Sequence, residues 1–200
     1  MKLLRASSTA LLFFFSFTNA TATIISCEPD SFANGATLTN ACAGVNLSVA
    51  QRADSVVAQI PFVPTATSTG TLAFGHTTDS FGWGSSDANA ETLRGDFGSL
   101  TNFVSIDIIA NDSSDAGFLR AYNASNVLLA EVLTGPLGAT GTVFSANISR
   151  LSSDISYFLA SGISGDNVNL DNLRYDVPEP STLLLLGLGV IGLGATRRRR

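Results

Sequence analysis

The sequence predicts an all-β fold built from antiparallel strands. Short runs of β-branched and aromatic residues recur along the chain, separated by turn-forming Gly, Asn, Asp and Pro residues. Thr, Ser, Asn and Gly dominate the same region, and no long apolar spacing of helical period occurs outside the two ends of the chain. These observations favour a β-sandwich or β-barrel over a helical domain.

The first half of this domain contains three candidate strands. The opening region, Pro29–Leu47, has scattered apolar residues around the turn signal Asn34-Gly35. A strand is predicted at Ser55–Phe62, where it is stopped by prolines, and a short one at Thr71–Gly75 after a polar loop. Glu91–Phe97 is predicted to pair with a neighbouring strand.

The second half carries the clearest strand, Asn102–Ala110. Its even-numbered residues from 104 to 108 are Val or Ile and are predicted to face one way, whereas residues 103, 105 and 107 face the other way. Asn123–Asn126 is predicted as a four-residue hairpin loop. The other candidate strands are Gly117–Tyr122, Val127–Leu133, Thr142–Ile148, Ile155–Ala160 and Val168–Val177.

The first 22 residues have the three parts of a secretory signal peptide. Lys2 and Arg5 make the start basic, Leu11–Phe17 is a short apolar core, and Ala20-Thr21-Ala22 fits a small-x-small cleavage site, with residues 18–20 as a second match. A retained anchor is disfavoured because the apolar core is too short to span a bilayer. We expect export through the Sec translocon and cleavage by signal peptidase.

The last 24 residues, Val177–Arg200, have the sequence pattern of a membrane anchor. Pro180–Thr196 is a run of 17 residues without a charge, which as a helix spans about 25 Å. Prolines at its start mark an extended break outside the membrane. The basic cluster that follows is typical of the cytoplasmic side, and it consists of Arg197, Arg198, Arg199 and Arg200. We therefore predict a transmembrane helix within residues 177–200, and the alternative is an aggregation-prone soluble terminus.

This order of Pro178-Glu179-Pro180, an apolar run and terminal arginines resembles the PEP-CTERM sorting signal of exopolysaccharide-producing Gram-negative bacteria. The resemblance implies recognition by a membrane-embedded exosortase, removal of the tail near the triplet, and transfer to the cell surface or the extracellular matrix. The chain would then lie transiently in the inner membrane. The expected domain organisation is a signal peptide at 1–22, a β-sandwich at 23–176 and the sorting signal at 177–200.

Composition bounds what the exported domain does. Six of the 11 basic residues lie in the two end segments, so five arginines remain against 16 acidic residues, or 15 without Glu179, which gives a net charge of −11 or −10. A lysine-free acidic domain lacks the basic footprint that nucleic acid requires. Such a charge suits a soluble surface protein.

Cys27 and Cys42 are the only cysteines. In an oxidising compartment such a pair most often forms a disulfide, and their spacing does not fit a Cys-x-x-Cys redox motif. With a single histidine in the chain, His76, a zinc site is disfavoured as well.

The strand order also resembles the jelly-roll β-sandwich common in PEP-CTERM proteins. The segments that carry this resemblance are Gly35–Leu38 with Gly44-Val45, Ala121–Leu128, and Leu170–Leu173. Related sandwiches include carbohydrate-binding modules, so the resemblance implies sugar binding as an expectation.

Three aromatic residues are candidate glycan contacts: Phe81, Trp83 and Tyr122. Aromatic faces pack on the apolar face of a pyranose, and nearby Asp or Asn residues bond its hydroxyl groups. The alternative, that these aromatics fill the edge of the core, is favoured because large aromatic side chains are usually buried.

Oxygen-bearing side chains near the end of the domain are candidate ligands for a structural calcium ion: Asp166, Asn167, Asn169 and Asp171. They lack the full spacing of a calcium-binding loop, and the favoured alternative is turn formation. Asp112 and Asp115 form a similar but weaker cluster. No other cofactor is expected.

No catalytic residues are predicted. No Gly-x-Ser-x-Gly motif occurs, and a catalytic triad would have to use His76. We expect a non-enzymatic surface or matrix protein with a structural or adhesive role and, as a further expectation, exopolysaccharide binding. The competing class is a secreted glycan-active hydrolase, which would use two carboxylates across a cleft.

Overall fold

The computed structural model describes residues 23–50, 57–59, 66–77, 82–84 and 91–177. Twelve strands lie in these ranges, together with one 3-10 turn at Pro29–Ser31. The strands are β1 (Thr23–Cys27), β2 (Val45–Ala50), β3 (Val57–Gln59), β4 (Phe74–His76), β5 (Trp83–Gly84), β6 (Thr92–Thr101), β7 (Phe103–Ala110), β8 (Gly117–Tyr122), β9 (Leu128–Leu133), β10 (Val143–Ser149), β11 (Ile155–Gly162) and β12 (Asn167–Val177).

The strands form two antiparallel sheets. The first, sheet 1, has the order β10-β7-β12-β4-β3, with β1 and β5 also paired to β12. The second, sheet 2, has the order β2-β6-β11-β8-β9. This arrangement confirms the predicted all-β antiparallel sandwich. Within the described ranges no helix is both long and apolar enough to cross a bilayer. The predicted signal peptide and the predicted helix after Val177 lie outside those ranges.

The core lies between the two sheets and follows from the alternation of apolar residues. Val104, Ile106 and Ile108, which were predicted to share one face of β7, are fully buried and belong to the same apolar cluster as Leu119 and Phe158 from sheet 2. The second face of β7 is also covered, because Ser105 and Asp107 on that face are only 1% and 4% exposed. Alternation of apolar and polar residues therefore predicted which way the side chains point but not that both faces are buried.

The two ends of the described body meet in sheet 1. β1 pairs with β12 along its whole length, with Thr23 opposite Val177 and Cys27 opposite Leu173. The predicted disulfide between Cys27 and Cys42 is present, with the two Cα atoms 5.5 Å apart. It fastens β1 to the loop before β2, so the first strand is held by both hydrogen bonds and a covalent link.

Candidate functional site

The outer face of sheet 2 carries a stack of three side chains, Arg94, Tyr157 and Tyr122, which we call the aromatic stack. The rings of Tyr122 and Tyr157 are parallel within 4° with centroids 4.8 Å apart. The Arg94 guanidinium carbon lies 3.9 Å from the centre of the Tyr157 ring, a cation–π distance.

Strand register explains the aromatic stack. Tyr157 on β11 lies opposite Asp96 on β6 and opposite Tyr122 on β8. Because side chains alternate along a strand, the neighbouring Phe158 points into the core while Tyr157 points outward. Aromatic residues on adjacent strands therefore meet on one face, although their positions in the sequence are 35 residues apart.

A carboxylate orients the stack. Arg94 donates two hydrogen bonds to Asp96, at 2.8 Å from Nε and 2.6 Å from Nη2. These bonds raise the pKa of Arg94 above its ordinary value. In the middle of the stack, the Tyr157 hydroxyl donates to Asn126 Oδ1 at 3.2 Å. The guanidinium and the ring are thus fixed in place by neighbours on both sides.

A surface groove of about 470 Å³ adjoins this stack. It shares Asp96 with the ion pair and offers the amide side chains of Asn40 and Asn46 as further polar groups. The full lining is Asn40, Cys42, Ala43, Gly44, Val45, Asn46, Asp96, Phe97 and Gly98.

The groove and the stack together offer an aromatic surface beside carboxylate and amide groups. Tyr157 is only 7% exposed, since the neighbouring strands place Arg94 against one ring face and Tyr122 against the other. Tyr122 is half-buried, so part of its ring remains exposed to solvent. Its ring and the polar groups of the groove are the kind of combination that binds sugars.

Two of the three predicted glycan contacts, Trp83 and Tyr122, do not come together. Trp83 is completely buried, donates its indole N–H to the Phe74 carbonyl oxygen at 2.9 Å, and packs edge-on against His76. It fills the core, which was the favoured alternative, and cannot form a surface platform from there. Phe81 lies outside the described residues. Tyr122 is on the surface, but its aromatic partner is Tyr157, which the sequence analysis did not single out.

The predicted calcium ligands are engaged in loop contacts. Asp166 accepts a hydrogen bond from the Ala116 N–H at 3.0 Å. Asn169 donates to the Ala66 carbonyl oxygen at 3.2 Å and to the Asn111 side chain at 3.0 Å. Asn167 is exposed, and its backbone carbonyl oxygen accepts a hydrogen bond from the Asn111 side chain at 2.5 Å. Asn167, Asn169 and Asp171 thus lie on strand β12 and not in a turn, and the contacts of Asn167 and Asn169 join this strand to segments distant in the sequence.

Asp171 anchors the segment that covers sheet 1. One of its carboxylate oxygens accepts hydrogen bonds from the backbone N–H groups of Ser68 and Thr69 at 3.0 and 3.1 Å, and from both of their hydroxyl groups at 3.0 and 3.4 Å. Within the described ranges, no group of three or more His, Cys, Asp or Glu side chains is arranged to hold a metal ion. Calcium binding stays a prediction, which thermal melts in calcium and in EDTA would check.

An acidic cluster around Asp171 was not predicted. Glu28 accepts a hydrogen bond from the Thr69 hydroxyl at 2.6 Å, and Asp30 accepts one from the Thr71 N–H at 2.9 Å. Burial, with repulsion from Asp171 and Asp30 adding to it, raises the pKa of Glu28 to about 7. Glu28 and Asp30 are two residues apart and match no motif, so only the folding of β1 against β12 brings them near Asp171.

The buried histidine is also paired. His76 is fully buried, and its Nε2 atom lies 2.8 Å from a Glu91 carboxylate oxygen and 3.2 Å from the Gly82 carbonyl oxygen. This contact joins β4 to the residue that precedes β6. His76 therefore occupies a structural position between the two sheets.

Comparison with known proteins gives one sequence match and several remote folds. Residues 176–200 match the model of the PEP-CTERM protein-sorting motif. Among curated proteins, no sequence matches the chain.

The structural similarities are distant. The K2 cleaved adhesin domain of Lys-gingipain has a TM-score of 0.49 at 11% identity, covering 78% of this chain and 100% of that one. A family 29 carbohydrate-binding module has a TM-score of 0.37 at 6% identity, covering 78% and 89%. An arabinose-bound α-L-arabinofuranosidase has a TM-score of 0.39 at 12% identity, covering 67% of this chain and 23% of that one.

The match at residues 176–200 confirms that the terminal sequence is a PEP-CTERM sorting signal, and the transmembrane helix within it stays a prediction. The chain is a β-sandwich protein that carries a PEP-CTERM protein-sorting motif at its C-terminal end.

Proposed function

We propose that the chain is an exosortase substrate that becomes an adhesive or structural component of a polysaccharide matrix at the cell surface. The sorting motif supports delivery to the outside of a Gram-negative cell, with a transient stay in the inner membrane. The sandwich is then the part that acts at the destination. Its acidic composition keeps such a body soluble and separate from nucleic acid.

The observation that carries the binding part of this proposal is the aromatic stack on sheet 2, which exposes part of the Tyr122 ring at one end and reaches the groove through Arg94 and Asp96 at the other. Stacking with Tyr157 holds the Tyr122 ring in a fixed orientation at 4.8 Å, so little side-chain entropy is lost when a ligand packs on it. Asp96 and Asn46, which line the groove, are placed to accept or donate hydrogen bonds to sugar hydroxyl groups. The proposed ligand is a neutral polysaccharide, because the carboxylates nearby disfavour an anionic one.

Binding of the purified full chain to exopolysaccharide from an exosortase-containing bacterium tests this site. We expect Tyr122→Ala to weaken binding at least tenfold, the loss associated with about 1.4 kcal/mol. The matched control is Phe144→Ala, which removes an exposed aromatic ring from β10 on the other sheet. Equal losses in the two variants, or no binding by the parent chain, would contradict a glycan site at Tyr122.

The same samples separate a binding module from a hydrolase. A module retains the polysaccharide without releasing reducing ends, so turnover by the parent chain would favour the competing enzyme. If the parent chain neither binds nor cleaves the polysaccharide, the glycan site is contradicted, and the sorting proposal is unaffected.

The sorting proposal has its own test. We expect replacement of Pro178-Glu179-Pro180 by three alanines to leave the arginine cluster attached and the protein in the membrane fraction. Mass spectrometry of the parent protein from the medium should find a chain that ends near the triplet. Arginines 197–200 on the secreted parent protein would overturn exosortase processing.

A further inference from the structure

One end of the sandwich collects exposed apolar side chains. We call it the apolar pole. Its exposed fractions are 61% for Ile24, 48% for Leu100, 54% for Val127, 47% for Leu128 and 108% for Leu151. Isolated exposed apolar residues are ordinary on a soluble protein, but several together at one end call for a partner.

Strand pairing places these residues at the same end as Val177. Ile24 lies opposite Asp176, and Asp176 accepts hydrogen bonds from the N–H groups of Asn102 and Phe103. Leu100 is therefore close to the end of β12.

The hairpin and the loop that contain the other apolar residues reach the same end. Ser149 pairs with Phe103, and Leu151 follows shortly after it in the chain. Arg150 donates a hydrogen bond to the Leu129 carbonyl oxygen at 3.2 Å, which joins this loop to the start of β9. Leu128 and Val127 lie at that start.

The charges at the apolar pole are covered or paired. Asp176 is only 4% exposed, and Asp154 forms two hydrogen bonds with Arg150 at 2.6 and 2.8 Å. The opposite end also exposes apolar side chains, at Leu133, Val143 and Phe144, but its turns at residues 111–116 and 163–166 carry exposed Asp, Ser and Gly residues. The apolar pole holds five of the eight exposed large apolar residues of the described ranges.

The chain itself brings this end to a membrane. β12 ends at Val177, and five residues separate it from Leu183, where the apolar run of the tail becomes leucine-rich. Fully extended, they span at most about 18 Å. The opposite end of β12 is farther from the tail by the length of the strand, which is roughly 36 Å for its 11 residues. With its tail inserted, the apolar pole is the part of the body closest to the lipid.

We propose that the apolar pole contacts the lipid surface while the sorting tail is still attached. The proposal rests on the membrane-inserted tail of the proposed function. Leu151, Leu100 and Ile24 enter the interfacial layer, where binding strength grows with the apolar area that is buried. This contact holds the triplet at residues 178–180 at the bilayer surface, within reach of a membrane-embedded protease. Cleavage of the tail then weakens the contact between the apolar pole and the lipid.

A fluorescence depth measurement tests the contact. The full chain is reconstituted into phosphatidylethanolamine and phosphatidylglycerol vesicles that contain brominated phosphatidylcholine, with Leu151→Trp in one sample and Ser113→Trp in the other. Ser113 is an exposed turn residue at the opposite end, and the buried Trp83 is a constant background in both samples. We expect quenching at position 151 to exceed that at position 113 several-fold.

Flotation of the same vesicles separates the two proposals. Chains that float and show equal quenching at positions 151 and 113 overturn the lipid contact alone. Chains that do not float overturn the membrane-inserted tail and the contact with it. If either variant loses the parent thermal transition, Leu100→Trp and Asp112→Trp replace the pair at the same two ends.

Discussion

Asp171 shows how much a single carboxylate can organise in this protein. It is completely buried, and one of its oxygens accepts hydrogen bonds from two consecutive residues, Ser68 and Thr69, about a hundred positions earlier in the chain. Its other oxygen accepts a bond from the Asn172 N–H at 2.8 Å. A charged acceptor that satisfies several buried donors contributes more than an ordinary turn residue.

We expect Asp171→Asn to lower the free energy of unfolding by about 2 kcal/mol, because an amide replaces a charged acceptor and directs donor hydrogens at other donors. Urea unfolding of the full chain measures the change. Asp112→Asn is the matched control, since Asp112 is an exposed carboxylate that accepts hydrogen bonds from the N–H and hydroxyl of Ser114 in a surface turn, and its effect should stay within about 0.5 kcal/mol. Equal losses of unfolding free energy in the two variants would show that Asp171 stabilises the fold no more than an exposed turn carboxylate does.

Glu28 gives the acidic cluster a pH dependence. Burial, and then the nearby Asp171 and Asp30 carboxylates, raise its pKa from 4.5 to about 7, while the Thr69 hydroxyl acts in the opposite direction. Because the folded state holds this proton more tightly, the contribution to stability is complete below pH 4.5 and is lost as the pH rises through 7. We expect Glu28→Gln to flatten the fall in stability over that interval in a series of urea titrations. If Glu28→Gln shows the same change of unfolding free energy with pH as the parent, another titratable group causes that change.

Strand by strand, alternation in the sequence predicted the regular elements well. Gly117–Tyr122 was predicted with the observed bounds of β8, and Asn102–Ala110 within one residue of β7. β1 was not predicted, because its partner β12 lies at the other end of the chain and no local pattern reports such a pairing. The Trp83–Gly84 strand was not predicted, since two residues are too few to show alternation.

The candidate site was harder to predict for the same reason. Tyr122 was identified, but Tyr157 and Arg94 become its neighbours only through the order β6-β11-β8 in sheet 2. Trp83 was a candidate glycan contact, yet it lies in the core, where its large ring buries much apolar surface. Local motifs identify residue types, and the sheet order decides which of them meet.

Gly95 is the position where β6 depends most on having no side chain. A Cβ atom there would lie 2.1 Å from Cε1 of the Phe158 ring on the neighbouring strand. We expect Gly95→Ala to lower the free energy of unfolding by about 1–3 kcal/mol through overpacking. Gly98→Ala is the control on the same strand, because its Cβ would meet only the Gly44 carbonyl oxygen at 3.6 Å.

The origin of that loss can be checked with a second substitution. If the clash is the cause, Phe158→Leu should cost less in the Gly95→Ala background than in the parent, and a double-mutant cycle by urea unfolding measures this coupling. Strictly additive losses would point to backbone effects at residue 95 instead.

At the scale of the whole molecule, the sandwich is closed by its own two ends. Thr23 and Val177 pair directly. The predicted signal peptide ends at residue 22, and the match to the sorting motif, residues 176–200, overlaps β12 by only two residues. Removal of both end segments therefore leaves sheet 1 complete. A cut only a few residues further inside would take away strand pairing that the body needs.

This closure predicts different outcomes for two truncations of the exported chain. Ending the chain at Val177 should leave the thermal midpoint unchanged, because β12 keeps every partner. Removing residues 23–27 should cost more than the double variant Cys27→Ser and Cys42→Ser, for which loss of a disulfide across 15 residues costs about 3 kcal/mol. The extra loss comes from the five residue pairs that β1 makes with β12. Urea unfolding of the three proteins beside the parent measures the difference, and equal stability of the truncated and cysteine-free chains would show that the disulfide alone holds the first strand.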